Sequence, residues 1–137
     1  MRTLILTFGL IVFMALPARS EEPSTGAAMQ AIIAAQINAF LNGDYAEAYR
    51  HASPDIQALY PTVEGFIAMV SEGYRPVFSP RSFSFTRSFT TPRGPAQAVE
   101  IIGPDGGLHE AIYVFGVQED GSLRVIAVYL SAPGSPA

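Results

Sequence analysis

The chain has 137 residues, 12 Asp and Glu against 8 Arg, and a formal net charge of −4. Lysine and cysteine are absent, which excludes lysine Schiff-base chemistry, thiol nucleophiles, zinc–thiolate sites and iron–sulfur clusters. An acidic chain with no clustered basic patch also argues against nucleic acid or an anionic membrane surface as partner.

The N-terminus reads as an export signal. Arg2 supplies a positive start and Leu4 to Leu16 is an apolar run. Ala18-Arg19-Ser20 then places small residues at the −3 and −1 positions of a cleavage site, just before Glu21-Glu22. The run is well short of the roughly 20 apolar residues that an anchor requires. The pattern predicts cleavage near Ser20, a periplasmic or secreted protein, and no stable membrane anchor after cleavage. Residues 21–130 are then one domain around one core, and residues 131–137 (SAPGSPA) read as a disordered tail.

Within the domain, Ser24 or Thr25 is available to cap a helix whose stripe is Met29, Ile32, Ile33, Ile37, Phe40 and Leu41. Asn42-Gly43 stops it. Asp44 with Glu47 forms an approximate capping box for a second helix, its inner face being Tyr45, Ala48 and Tyr49. Ser53-Pro54 opens a short third helix with Ile56 and Leu59 inward. Pro61-Thr62 opens a fourth, with Phe66, Met69 and Val70 at core spacing and Gly73 as its stop. None of these has enough apolar face to stand alone, so they share one sheet.

The second half changes period. From Ser82 to Thr90 the alternation is strict, with Phe83, Phe85, Arg87 and Phe89 on one face. Pro92 to Pro95 is a turn, Ala96 to Ile102 a strand, Gly103 to Gly107 a hairpin loop, and Leu108 to Val117 the next strand. Glu119-Asp120-Gly121 turns the chain into a last strand, Leu123 to Leu130. The order predicts an α+β domain, N-terminal helices packed on one face of a curved, mostly antiparallel sheet. The last two strands are apolar on both faces, which predicts a second covering layer, with a homodimer as the simplest source.

The succession AFLNGDYAEAYRHASPDIQ, then Phe66 with Met69-Val70, then Gly73 to Val77, with the Asp120-Gly121 turn and final strand, resembles an exported bacterial family, domain of unknown function 4864. That family is similar to the nuclear transport factor 2-like superfamily, which holds the SnoaL-like and ketosteroid-isomerase-like proteins. The resemblance implies a cone-shaped fold and an exported location, and transfers no reaction. Two positions depart from the family pattern: Leu123 stands where a Trp is usual, and Ala127 where a Gly is usual.

Several residues carry candidate chemistry. His51, at a helix end, reads as a general base at the mouth of a cone or, more plainly, as a capping or partly buried histidine. His109 follows a glycine turn and reads chiefly as a strand-end histidine; the two histidines do not make a metal-ligand spacing, and no metal or cofactor is expected. Arg87 stands among phenylalanines: it clamps an anionic ligand, pairs with a carboxylate such as Glu100, or snorkels to water. Tyr74 walls a pocket mouth or closes the core. An enzyme of isomerase or dehydratase type would take Glu100, Asp55 or His51 as base, Glu110 being a further carboxylate to consider, with a hydroxyl of Tyr113 or Tyr129 steadying an enolate. No Ser–His–Asp order, phosphate loop or paired-carboxylate spacing accompanies them. The leading expectation is a non-catalytic small-ligand-binding or assembly module. A small apolar or anionic ligand would meet Tyr49, Arg87, Tyr113 and Tyr129. The alternatives are that small enzyme and a domain docking an envelope protein.

Overall fold

The structure is a computed structural model that describes residues 24–132. The expected export signal and the last part of the expected tail, 133–137, lie outside the described residues.

Five helices precede four strands. Helix α1 (Thr25–Leu41) starts where Ser24 Oγ accepts the Ala27 N–H at 3.2 Å. It buries Met29, Ile33, Gln36, Ile37, Ala39 and Phe40. Leu41, expected in that stripe, is half exposed, because the chain turns away at Asn42-Gly43 before anything covers it. Helix α2 (Tyr45–Arg50) follows. Its expected capping box does not form: Asp44 makes no side-chain cap bond, and Glu47 bonds Arg50 and His51 instead. Tyr45 is correspondingly turned outward, against Phe78.

Helix α3 (Pro54–Leu59) is capped by Ser53 Oγ, which accepts the Ile56 N–H, and α4 (Val63–Gly73) by Thr62 Oγ1, which accepts the Gly65 N–H. Leu59 does not face inward as expected; it is 75 % exposed. The inward line of this short helix runs through Ile56 and Tyr60, and Leu59 falls outside it. A further single turn, α5 (Arg75–Phe78), was not expected from the sequence.

The sheet is an antiparallel meander in the order β1-β2-β3-β4, comprising β1 (Ser82–Thr91), β2 (Gly94–Ile102), β3 (Leu108–Val117) and β4 (Leu123–Ser131). Its inner face presents Val99, Ile101, Ala111, Tyr113, Phe115 and Val125 to the helices, which return Met29, Ile33, Ile37, Phe40, Phe66 and Val70. That layer is the core.

The strict alternation expected for β1 breaks. Phe85 pairs with Val99 but Ser88 pairs with Gln97, so β1 holds one extra residue across the step. Phe83 and Phe85 therefore pack on the core, whereas Ser88 replaces Arg87 on the inner face and Arg87 and Phe89 turn outward. Arg87 then crosses β2 on the outer face to Glu110 of β3, Nη2 to Oε1 3.9 Å, with its guanidinium 4.7 Å from the centre of the Phe89 ring. The expected partner Glu100 sits directly opposite Glu110 in the ladder. Across β3 and β4, Arg93 donates to the Tyr129 hydroxyl at 3.0 Å. Beneath this outer layer Ala96, Ala98 and Val114 are buried outside the core that the described helices cover.

The two halves are joined by one main-chain clamp. Val125 donates to His51 O and accepts from Ser53 N–H, both at 2.9 Å, making a parallel bridge between Ala52 and Val125.

Candidate functional site

A cavity of about 320 Å³ opens between the helices and β4. Each wall follows from local structure. The Ser53 cap orients α3 so that Ile56 and Tyr60 face in; the Thr62 cap does the same for Phe66, Met69 and Val70 of α4. Tyr74 and Val77 close one side, and α1 contributes Gln36. The remaining wall is Val125, Ile126, Ala127, Val128 and Tyr129 of β4. Among the described residues no Asp, Glu, Arg or His lines the space.

Its polar side chains are an amide and the hydroxyls of three tyrosines. Gln36 is 4 % exposed, and its Nε2 donates to Ala48 O at 3.1 Å, which fixes the amide. A surface of this kind suits an uncharged apolar group; an ionised one would lose its hydration with no charged side chain in the lining to offset the loss.

The residues singled out by the sequence do not gather here. Of Tyr49, Arg87, Tyr113 and Tyr129, only Tyr129 lines the cavity. The Tyr49 hydroxyl donates to Tyr60 O at 2.6 Å and lies 3.3 Å from Gln57 O, tying α2 to α3. Tyr113 is fully buried in the sheet's inner face, its hydroxyl without a partner among the described residues, and burial pushes that phenol well above its ordinary range. Arg87 is on the outer face.

Of the three candidate bases, none lines the cavity. Asp55 is exposed in the first turn of α3, and Glu100 is exposed on the outer face. His51 faces a shallow groove beside the start of α1 and the β3–β4 turn, with Arg50, Ile32 and Leu123. Its side chain is 12 % exposed and its Nε2 lies 3.1 Å from Glu47 Oε1. Burial holds the imidazole below its ordinary value, reinforced by Arg50 and opposed by Glu47. Arg50 Nη2, 2.6 Å from the same carboxylate, holds Glu47 down to about 2. His109, by the β2–β3 turn, and Tyr74 are half buried, and only Tyr74 reaches the cavity.

Two polar lining residues, Gln36 and Tyr60, fall outside the candidates that the sequence offers. Gln36 stands between Ile33 and Ile37 at stripe spacing, and a polar residue there was a readable signal. Tyr60 carried none, since its inward position depends on where α3 ends. The family model described as Domain of unknown function (DUF4864) matches residues 22–137. The chain belongs to that family. No curated protein and no solved structure matches it. In this DUF4864 chain the match spans every described element and all the residues that wall the cavity. Among the described residues no group of three His, Asp or Glu is placed to hold a metal ion, and no helix is long and apolar enough to cross a membrane.

Proposed function

We propose that this DUF4864 protein is a non-catalytic binding module that holds an uncharged, largely apolar ligand in the cavity between α3, α4 and β4. The observation that carries the reading is the lining itself: among the described residues, apolar side chains with one anchored amide and three tyrosines, and no carboxylate, histidine or arginine within the walls. Such a space can bind and orient but has no group to take a proton at neutral pH. The helix-then-meander order is compatible with a nuclear transport factor 2-like cone, in which this cavity would be the interior. Export is supported by Arg2, the Leu4–Leu16 run and the Ala18-Arg19-Ser20 site. Self-association through the outer sheet face is supported by half-buried Ile112 and Ala127 beside exposed Tyr129.

Native mass spectrometry of the protein purified from its producing cells tests the proposal. The expected result is excess mass that leaves on denaturation and is lost in Val70→Trp, which fills the space. A bare protein mass, with an uncharged apolar dye bound no better by wild type than by Val70→Trp, would overturn it. The same spectrum reads the oligomeric state.

A further inference from the structure

The cavity is walled by five consecutive residues of β4, Val125 to Tyr129. Successive side chains of a strand point to opposite faces, so a space lying under one face is walled by alternate residues. A bulge opposite Val114 accounts for one irregular step there, but not for five in a row. The cavity therefore runs along the edge of β4.

That edge is open. β4 is the last strand of the meander, with β3 on its other side. Val125 turns its N–H and C=O outward to His51 and Ser53. The chain then leaves the edge into α3. Beyond Val125, among the described residues, no backbone bond other than those to β3 reaches Ile126 to Ser131. An antiparallel ladder turns every second residue's donor and acceptor away from the paired strand. The wall is thus a row of backbone groups that no other described residue pairs, facing an apolar space, which is the recognition surface of an added strand.

We infer that the cavity's occupant is an extended polypeptide segment that adds to the free edge of β4 and seats alternate apolar side chains against Ile56, Met69 and Val70. This rests on the binding-module reading above and names its ligand class. A small apolar molecule would fill the space but leave the edge donors and acceptors unpaired, and buried unpaired groups are costly. A second copy of the chain fits less well than a single strand, because its own helical layer would have to enter the same recess. Charge points the same way. Helices α3 and α4 carry Asp55, Glu64 and Glu72 and no basic residue, whereas Arg75 belongs to α5 and Arg93 to the Tyr129 end, so a segment with basic residues beside α3 and α4 meets complementary charge there.

The test is amide hydrogen exchange of the β4 segment, read on the purified protein. The probe is a synthetic peptide of six alternating valines and threonines with an arginine at each end. Its comparator has alternate amides N-methylated, and 1-decanol serves as the small apolar probe. With peptide at ten times its Kd, the free amides of Ile126 to Leu130 are expected to exchange about tenfold more slowly, since only the unoccupied fraction exchanges. The methylated peptide is expected to give no slowing.

If decanol binds, competes with the apolar dye and the peptide protects nothing, the cavity reading stands and the peptide class falls. If neither probe binds and Val70→Trp is indistinguishable from wild type, both fall. Protection that appears without peptide and grows with protein concentration would assign the edge to a second copy and overturn the inference.

Discussion

Ala52 and Val125 form a parallel bridge between the turn after α2 and the start of β4, closed by two hydrogen bonds of 2.9 Å. Both residues are buried, and both line the cavity. The bridge does two things at once. It fixes the helical layer to the edge strand, and by ending after one pair it leaves the rest of that edge exposed to the cavity. The position of α3, hence of Ile56 and Tyr60, is set by the same short stretch of main chain.

Ser53 is the residue on which that stretch depends. It is 2 % exposed, its N–H bonds Val125 O, and its Oγ caps α3. Ser53→Ala keeps the main-chain bond and removes the cap, so it is expected to cost about 1–2 kcal/mol. Thr62→Ala removes an exposed cap and is expected to cost less, about 0.5–1 kcal/mol. Urea unfolding of the two variants checks the order; equal losses would show that burial of the Ser53 cap adds nothing.

Tyr113 and Tyr49 make a matched pair of hydroxyls. The first is fully buried with no partner among the described residues, and the second donates to Tyr60 O. Removing an unpartnered buried hydroxyl relieves its desolvation cost, so Tyr113→Phe is expected to leave stability unchanged or raise it by about 1 kcal/mol. Tyr49→Phe orphans a carbonyl and is expected to lower it by about 1 kcal/mol. A clear loss in Tyr113→Phe would reveal a bound water or ligand group on that hydroxyl.

The helical half was legible because its signals are local. Ser24, Ser53-Pro54 and Thr62 each cap the helix that their positions announce. The hairpin turns at Gly103–Gly107 and Asp120-Gly121 are equally local. The face of β1 was not legible, because SFSFTRSFT alternates without a break and the bulge is decided across strands. Fully buried Gln97 requires polar neighbours, and the shift supplies Ser88 Oγ beside it, with Gln30 Nε2 at 3.3 Å from above. That requirement moves Arg87 to the outer face, away from any interior ligand. The cavity was illegible for the same reason: it joins Gln36 to residues some ninety positions later, which no spacing along the chain shows.

Gly94 and Gly43 separate backbone conformation from space. Both have positive φ, +145° and +72°. A Cβ on Gly94 would lie 2.1 Å from Phe115 O, main chain of β3, whereas one on Gly43 meets nothing within 4 Å. Gly43→Ala is therefore expected to cost about 1 kcal/mol for conformation alone. Gly94→Ala is expected to cost about 3 kcal/mol or more, since the β1–β2 turn must also pull off β3. Thermal unfolding distinguishes them, and comparable shifts in Tm would mean that the turn yields freely.

The α2 end predicts how stability responds to acid. His51 has its imidazole held below the ordinary value by burial. The unfolded chain therefore takes up that proton first, at about pH 6.5, and stability falls from there until the folded imidazole also protonates. Glu47, held at about 2 chiefly by its hydrogen bond to Arg50, adds a second limb. Its contribution is full above the unfolded value of about 4.3 and is lost as pH drops towards 2. Glu47→Gln is expected to reduce the lower limb, which Asp105 and Asp120, both also held low, share, and to deepen the upper one, because the carboxylate that supports the imidazolium is gone. His51→Asn is expected to abolish the upper limb and to leave most of the lower one, since Arg50 remains the chief support of Glu47. The urea midpoint measured from pH 8 to pH 3 reads both. A wild-type profile flat between pH 7 and pH 5 would mean that His51 protonates as readily folded as unfolded, against the burial seen at the clamp.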